Sequence, residues 1–295
     1  MTAAMTLVEL VVAQSERLKQ AGVSFGHGTG NAFDEAAWLV TWALGLPLDA
    51  LESRGKQVVS AEDQAKAEAL IGQRIETRRP AAYLTREAWL QDLPFTIDER
   101  SIVPRSFIAE LLVDVEETGT LDAWLSDHTR RVLDLCTGNG SLAVITALVY
   151  PETTIDASDI SAPALELARI NIARHGLGDR IQVIESDLFE RVRGPYDLIL
   201  CNPPYVNDAS MAALPPEYRA EPSLALAGGP DGMDLVRRIV AEARRHMSDE
   251  AVLVLEIGHE RRHFEQAFPR LECAWLETSG GPDRVVLVER SALPG

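Results

Sequence analysis

The chain has 295 residues, 46% hydrophobic and 25% charged, and its 28 Lys and Arg against 45 Asp and Glu give a net charge of −17. That length suits one large domain or two ordinary ones, and the composition excludes wholesale disorder, a collagen-like repeat and a disulfide-stapled miniprotein. No apolar run reaches the roughly 18 residues of a membrane helix, and the start MTAAMTLVELVVAQSERLKQ lacks the layout of a secretory signal, so a cytoplasmic protein with no membrane partner is expected. Cys136, Cys201 and Cys273 are widely spaced and form no C-x-x-C pair, which reads as reduced packing residues rather than a disulfide framework or a metal site. The acidic total disfavours a broad grip on nucleic-acid phosphates and suits a basic protein partner.

In chain order, residues 1–84 read as helices. Leu7, Leu10, Val11 and Leu18 recur at helical spacing, and residues 33–44 and 61–75 repeat the pattern. GHGTGN (26–31) and GLPLD (45–49) break the helices, with Asn31 as the N-cap of the second. His27 reads as a turn or capping histidine rather than a catalytic one. Residues 85–105, with β-favouring positions around DLP (92–94), predict a short hairpin linker. From 106 to 295 a helix at about 108–125 leads into alternating strands and helices. The strands are VLDL (132–135), TIDAS (154–158), IQVIE (181–185), LILCN (198–202) and AVLVLEI (251–257); the helices are 141–149, 162–175 and 231–245. Such alternation predicts an α/β fold, a parallel sheet covered by helices on both faces. ECAWLET (272–278) and RVVLVE (284–289), joined by SGGPD, close it as an antiparallel hairpin at the edge.

The chemistry gathers where these strands end. The first runs into DLCTGNG, Asp134 to Gly140, which places glycine-rich backbone at the carboxyl end of a strand, where doubly wound folds bind ligands. Asp159 ends the second strand 19 positions after Gly140, where a carboxylate can accept both hydroxyls of a ribose, and Asp187 follows the third, where one can accept from an adenine amino group. Both aspartates also suit helix N-caps. Acids after three successive strands would repel a pyrophosphate and suit a ligand without phosphate, such as the sulfonium S-adenosyl-L-methionine. The fourth strand ends in Asn202-Pro203-Pro204-Tyr205, where two prolines stiffen the turn. The Asn202 carboxamide and the Pro203 carbonyl can both accept from one planar NH2 group, while Tyr205 offers that plane a ring face. Holding both N–H bonds orients the weakly nucleophilic nitrogen and stabilises positive charge as a new bond forms.

DLCTGNG, ASDIS, SDLF and NPPY, in this order and spacing, resemble the class I S-adenosylmethionine-dependent methyltransferases and, among them, the protein-glutamine N5-methyltransferases. GHGTGNAFDEA, RRPAAYLTREAWL, VPRSFIAELL, PEYRAEPSLALAGGPDGMDLVRRI and TSGGPDRVVLV resemble the branch acting on the third large-subunit ribosomal protein. The release-factor branch usually carries Pro-Arg-Pro and an all-glycine turn where Ser106 and Cys136 stand here. Phe107 replaces a proline common in the ribosomal branch, and Gly30 an acid. The resemblance covers nearly the whole chain. It implies a Rossmann-like seven-strand mixed sheet, at 106–295, preceded by a helical substrate-recognition domain. It assigns the methionine and sulfonium end of the cofactor to Asp134, Thr137, Gly138 and Gly140, the ribose to Asp159, and the adenine to Asp187 and Leu188, with Cys136, Asn139, Ile160 and Asn202 completing the cofactor site. The substrate glutamine falls to Asn202, Pro203, Pro204 and Tyr205. Arg105, in the loop covering the site, is either a substrate contact or half of a salt bridge.

The activity so implied is methyl transfer to a glutamine side-chain amide in a basic ribosomal protein. Release-factor methylation is the near alternative, and adenine amino methylation a further one, which the net −17 disfavours because flipped-base enzymes need a basic groove. A non-enzymatic assembly factor would not need the intact NPPY. A nicotinamide dehydrogenase would need G-x-G-x-x-G, which DLCTGNG lacks.

Overall fold

The computed structural model describes residues 5–113 and 121–295. Its first part is helical: α1 (Leu7–Gln20), α2 (Ala32–Ala43), α3 (Ala50–Arg54), α4 (Ala61–Thr77) and α5 (Ala81–Thr85). Thr6 starts α1 with a reciprocal capping box to Glu9, and the Asn31 side chain accepts the Phe33 and Asp34 amides at 3.0 Å each, as its N-cap position predicted. The apolar stripes of α1, α2 and α4 meet in one cluster that includes Leu10, Leu18, Leu39 and Ile71, each fully buried. Burial at this level contributes about 1.5–3 kcal/mol per side chain. Next come β1 (Glu87–Leu90) and β2 (Leu93–Thr96), paired as the predicted hairpin. Asn171, from the following part, clasps the hairpin by accepting the Thr96 amide and donating to its carbonyl.

The remaining chain runs α6 (Ile108–Val113), β3 (Arg131–Leu135), α7 (Ser141–Val149), β4 (Thr154–Asp159), α8 (Ala162–Arg174), β5 (Ile181–Glu185), β6 (Tyr196–Cys201), α9 (Asp208–Ala213), α10 (Asp234–Glu242), β7 (Met247–Glu256), α11 (Arg261–Ala267), β8 (Ala274–Thr278) and β9 (Gly281–Glu289). Of the helix expected at 108–125, residues 114–120 lie outside the described residues, and Leu121–Trp124 forms a separate 3-10 turn. The strands form one sheet in the order β5-β4-β3-β6-β7-β9-β8, parallel except for β9, which is antiparallel to both its neighbours. This is the expected seven-strand mixed sheet. Buried clusters cover both of its faces, which is why the central strands are apolar runs rather than alternating ones. The chain leaves β3 toward β4 on one side and reaches β6 on the other, so a crevice opens beyond the carboxyl end of β3. Among the described residues no helix is long and apolar enough to cross a membrane.

Candidate active site

A cavity of about 280 Å³ occupies that crevice. Leu135, Cys136 and Gly138 line it from β3 and its turn, Ser158 to Ser161 from the end of β4, and Ser186 to Leu188 from the turn after β5. Asn202 and Pro204 line it from the turn after β6, and Ile102 from the segment before α6. Cys136 and Leu188, with φ of 62° and 47°, hold left-handed conformations unusual for residues with a side chain, and both face the cavity. Gly138 is needed in the cradle. Its φ is +55°, and a Cβ there would lie 3.0 Å from Ser101 Oγ.

The Asp159 carboxylate is held by two backbone donors, Ser161 N–H at 2.8 Å and Gly138 N–H at 2.9 Å, and burial raises its pKa despite them. Four lone-pair sites on a carboxylate leave capacity for a diol facing the cavity. Ser161, not Asp159, caps α8. Asp187 Oδ1 accepts from Arg238 at 3.0 Å, and Oδ2 carries no hydrogen bond among the described residues. Ile160 and Leu224 are 52% and 59% exposed, and both line the cavity. Apolar walls with a diol acceptor at one side and a free carboxylate oxygen at another fit an adenosyl group.

The other predicted positions lie outside the cavity lining. Asp134 is buried beneath the glycine turn, where its carboxylate accepts from Thr137 Oγ1 at 2.5 Å and from Ala143 N–H at 3.0 Å. Burial pushes its pKa up to about 7, and the nearby Asp159 charge works in the same direction. Asn139 is buried with its carboxamide oxygen on Ser141 N–H, and the Gly140 backbone caps α7. These residues shape the turn from within. Pro203 and Tyr205 belong to the turn after β6 without lining the cavity. The Tyr205 ring packs on Gly258, where a Cβ would come within 2.5 Å of it, and its hydroxyl donates to Glu256 at 3.3 Å. Arg105 is committed to Glu221 through two hydrogen bonds of 2.7 Å. His27 is buried against the Tyr218 ring, away from the cavity.

Comparison with known proteins identifies the lineage of this site. Residues 9–85 match the PrmC N-terminal domain and residues 113–214 the Methyltransferase small domain. The chain is 50% identical to the ribosomal protein uL3 glutamine methyltransferase of Bordetella pertussis, covering 98% of this chain and 96% of that one. The proteins of that name from Burkholderia pseudomallei and Neisseria gonorrhoeae are 48% and 47% identical, covering 98% and 95% of this chain and 96% and 92% of theirs. The chain belongs to the ribosomal protein uL3 glutamine methyltransferase family. Among solved structures, the hMettl16 catalytic domain in complex with MAT2A 3'UTR hairpin 6 superposes with a TM-score of 0.51 at 12% identity, over 79% of this chain and 84% of that one, a likeness of fold alone.

In this member of the uL3 glutamine methyltransferase family, two residues beyond the predicted site set shape the site. Glu256, at the end of β7, is buried and joins the loop at 106–107 to the turn after β6. It accepts from Ser106 Oγ at 2.6 Å, Phe107 N–H at 2.8 Å and the Tyr205 hydroxyl. Burial raises its pKa against those bonds. An acid closing the apolar run AVLVLE was its signal in the sequence. Arg238, on α10, reaches the cavity and pairs with Asp187 across 51 positions of chain, a proximity no local pattern announces.

Proposed function

We propose that this protein transfers a methyl group from S-adenosylmethionine to the side-chain amide nitrogen of a glutamine in the large-subunit ribosomal protein uL3, in the cytoplasm. The observation that carries the reading is one cavity lined by both the Asp159 carboxylate and the Asn202 turn. Bound there, S-adenosylmethionine would supply an electrophilic methyl carbon on its sulfonium sulfur. Asp159 takes the ribose hydroxyls and the free Asp187 oxygen the adenine amino group, between the apolar walls of Ile160, Leu188 and Leu224. The Asn202 carboxamide and the Pro203 carbonyl make no hydrogen bond among the described residues, so both acceptors are uncommitted. They hold the two N–H bonds of the target amide, aiming its nitrogen and stabilising the positive charge that grows on it as the N–C bond forms and the methyl–sulfur bond breaks, which would leave the neutral thioether S-adenosylhomocysteine. The proton lost from that nitrogen afterwards is acidic enough to pass to water. Glu256 fixes Tyr205 and so the shape of the turn.

The net charge of −17 supports a basic protein target, because opposite charge speeds encounter. Incubating the purified protein and labelled S-adenosylmethionine separately with uL3, a peptide-chain release factor and an adenine-bearing RNA tests the reading. Label on uL3 is expected; label on either other substrate with none on uL3 would overturn it.

A further inference from the structure

Between the NPPY turn and α10 the chain forms a 3-10 turn at Pro216–Ala220 and then the segment 222–225, whose Pro222, Leu224 and Ala225 wall the cavity. At its far end this wall is tied to the turn after β6 by the Val206 amide on the Leu226 carbonyl at 2.9 Å and the Gly228 amide on the Val206 carbonyl at 2.9 Å. At its near end the anchor is made with the amino-terminal helical region and the loop at 103–105. Glu217 accepts from Ser24 N–H at 3.1 Å and Arg78 at 3.2 Å, with Arg74 3.6 Å away. Glu221 is buried, accepts Val103 N–H at 2.9 Å and both arms of Arg105, and lies 3.4 Å from His27 Nε2. The Tyr218 ring packs 4.2 Å from the His27 ring. None of Glu217, Tyr218, Glu221 or His27 lines the cavity.

His27 comes from GHGT, a motif that the cofactor and glutamine contacts leave unused. It is 1% exposed, and neither of its ring nitrogens has an aligned hydrogen bond, although one faces Glu221. A buried imidazole is costly unless its surroundings use it. We propose that His27 is a positioning residue for the cofactor cavity: through Glu221 and Tyr218 it holds segment 222–225 in the conformation that closes the wall. The helical region thereby raises cofactor affinity without touching the cofactor. A short wall tied at both ends is ordered before the ligand arrives; with one tie cut, only part of the population is competent and apparent affinity falls by that fraction.

The inference rests on the cavity being the cofactor site, and the test separates the two. His27→Phe keeps the ring against Tyr218 and removes the nitrogens; His27→Gln restores a nitrogen that can reach Glu221. S-adenosylhomocysteine affinity is read by calorimetry, and amide hydrogen exchange over 216–226 in ligand-free protein, with thermal melting alongside. His27→Phe is expected to weaken binding about tenfold and to speed exchange in that segment, a reduction matching a competent population of about one tenth, while His27→Gln recovers most of both. Should His27→Phe fail to fold, Glu221→Gln, which keeps an acceptor for Val103, is read in its place with the same expectations. Wild-type affinity and exchange in the folded variant overturn the inference alone. Failure of the wild-type protein to bind S-adenosylhomocysteine overturns the cavity assignment and this inference together.

Discussion

Replacing Asp159 by alanine separates a ligand contact from a brace of the fold. The carboxylate accepts the Ser161 and Gly138 amides at 2.8 and 2.9 Å in the free protein. A typical internal hydrogen bond contributes about 0.5–1.5 kcal/mol, and both amides border a cavity from which water can reach them, so unfolding free energy should fall by ~1–2 kcal/mol. The complex loses more. A hydrogen bond to a charged group is worth about 1.5–3 kcal/mol, and a diol on one carboxylate brings ~3 kcal/mol, or ~10²-fold in Kd. Calorimetric titration with S-adenosylhomocysteine beside urea unfolding reads both quantities, and Asp159→Asn, keeping one acceptor oxygen, should fall between alanine and wild type. If Asp159→Ala lost stability yet bound S-adenosylhomocysteine within threefold of wild type, the carboxylate would be a turn brace and the ribose assignment would be wrong.

Asn202→Ala removes a side chain with no internal partner, so stability and S-adenosylhomocysteine affinity should barely change while single-turnover methyl transfer slows ~10²-fold or more; an unchanged rate would remove Asn202 from the chemistry. Glu256→Gln leaves one buried donor among Ser106, Phe107 and Tyr205 without its acceptor, lowering stability by about 1–3 kcal/mol and reducing kcat, with cofactor affinity held because Glu256 does not line the cavity; calorimetry and a thermal melt check the split. Burial alone would raise the Glu221 pKa, but the Arg105 charge and its hydrogen bonds, with the His27 ring 3.4 Å away, lower it from 4.5 to about 2. A folded pKa below the unfolded one stabilises the protein above pH 4.5, by ~3 kcal/mol at about 1.4 kcal/mol per pH unit, and that contribution disappears as the pH falls toward 2. Urea unfolding should therefore show the stability gap between wild type and Glu221→Gln shrinking from pH 7 to pH 3, whereas a constant gap would refute the ionic origin.

The sheet was legible because strands buried on both faces carry their signal in consecutive residues. Residues 181–185 match β5 end to end, and 132–135 fall one short of β3. Where polar residues enter a strand the signal fails. Met247 to Glu250 belong to β7, but Ser248, Asp249 and Glu250 interrupt the apolar run, and β6 begins at Tyr196, whose hydroxyl bonds Asp156 at 2.6 Å. The helix expected from 231 begins at Asp234, because Asp231 spends its carboxylate on the Met233 amide and on Arg237. At the candidate site, the sequence pointed to Asp159, Asp187 and Asn202 by their places at or just after strand ends, and all three line the cavity. The ties of Glu256 to Ser106, Arg238 to Asp187 and Glu221 to His27 span 150, 51 and 194 positions, and only the folded chain brings those pairs together.

The central claim is a grip on a flat carboxamide beside an electrophilic methyl carbon. Tandem mass spectrometry of uL3 after reaction with wild-type protein and S-adenosylmethionine tests it most directly. The account predicts one added methyl group on the side-chain nitrogen of a glutamine, absent when Asn202→Ala replaces the wild-type protein over the same time. A methyl group on any other atom, or uL3 left unmodified while a release factor is methylated, would contradict it.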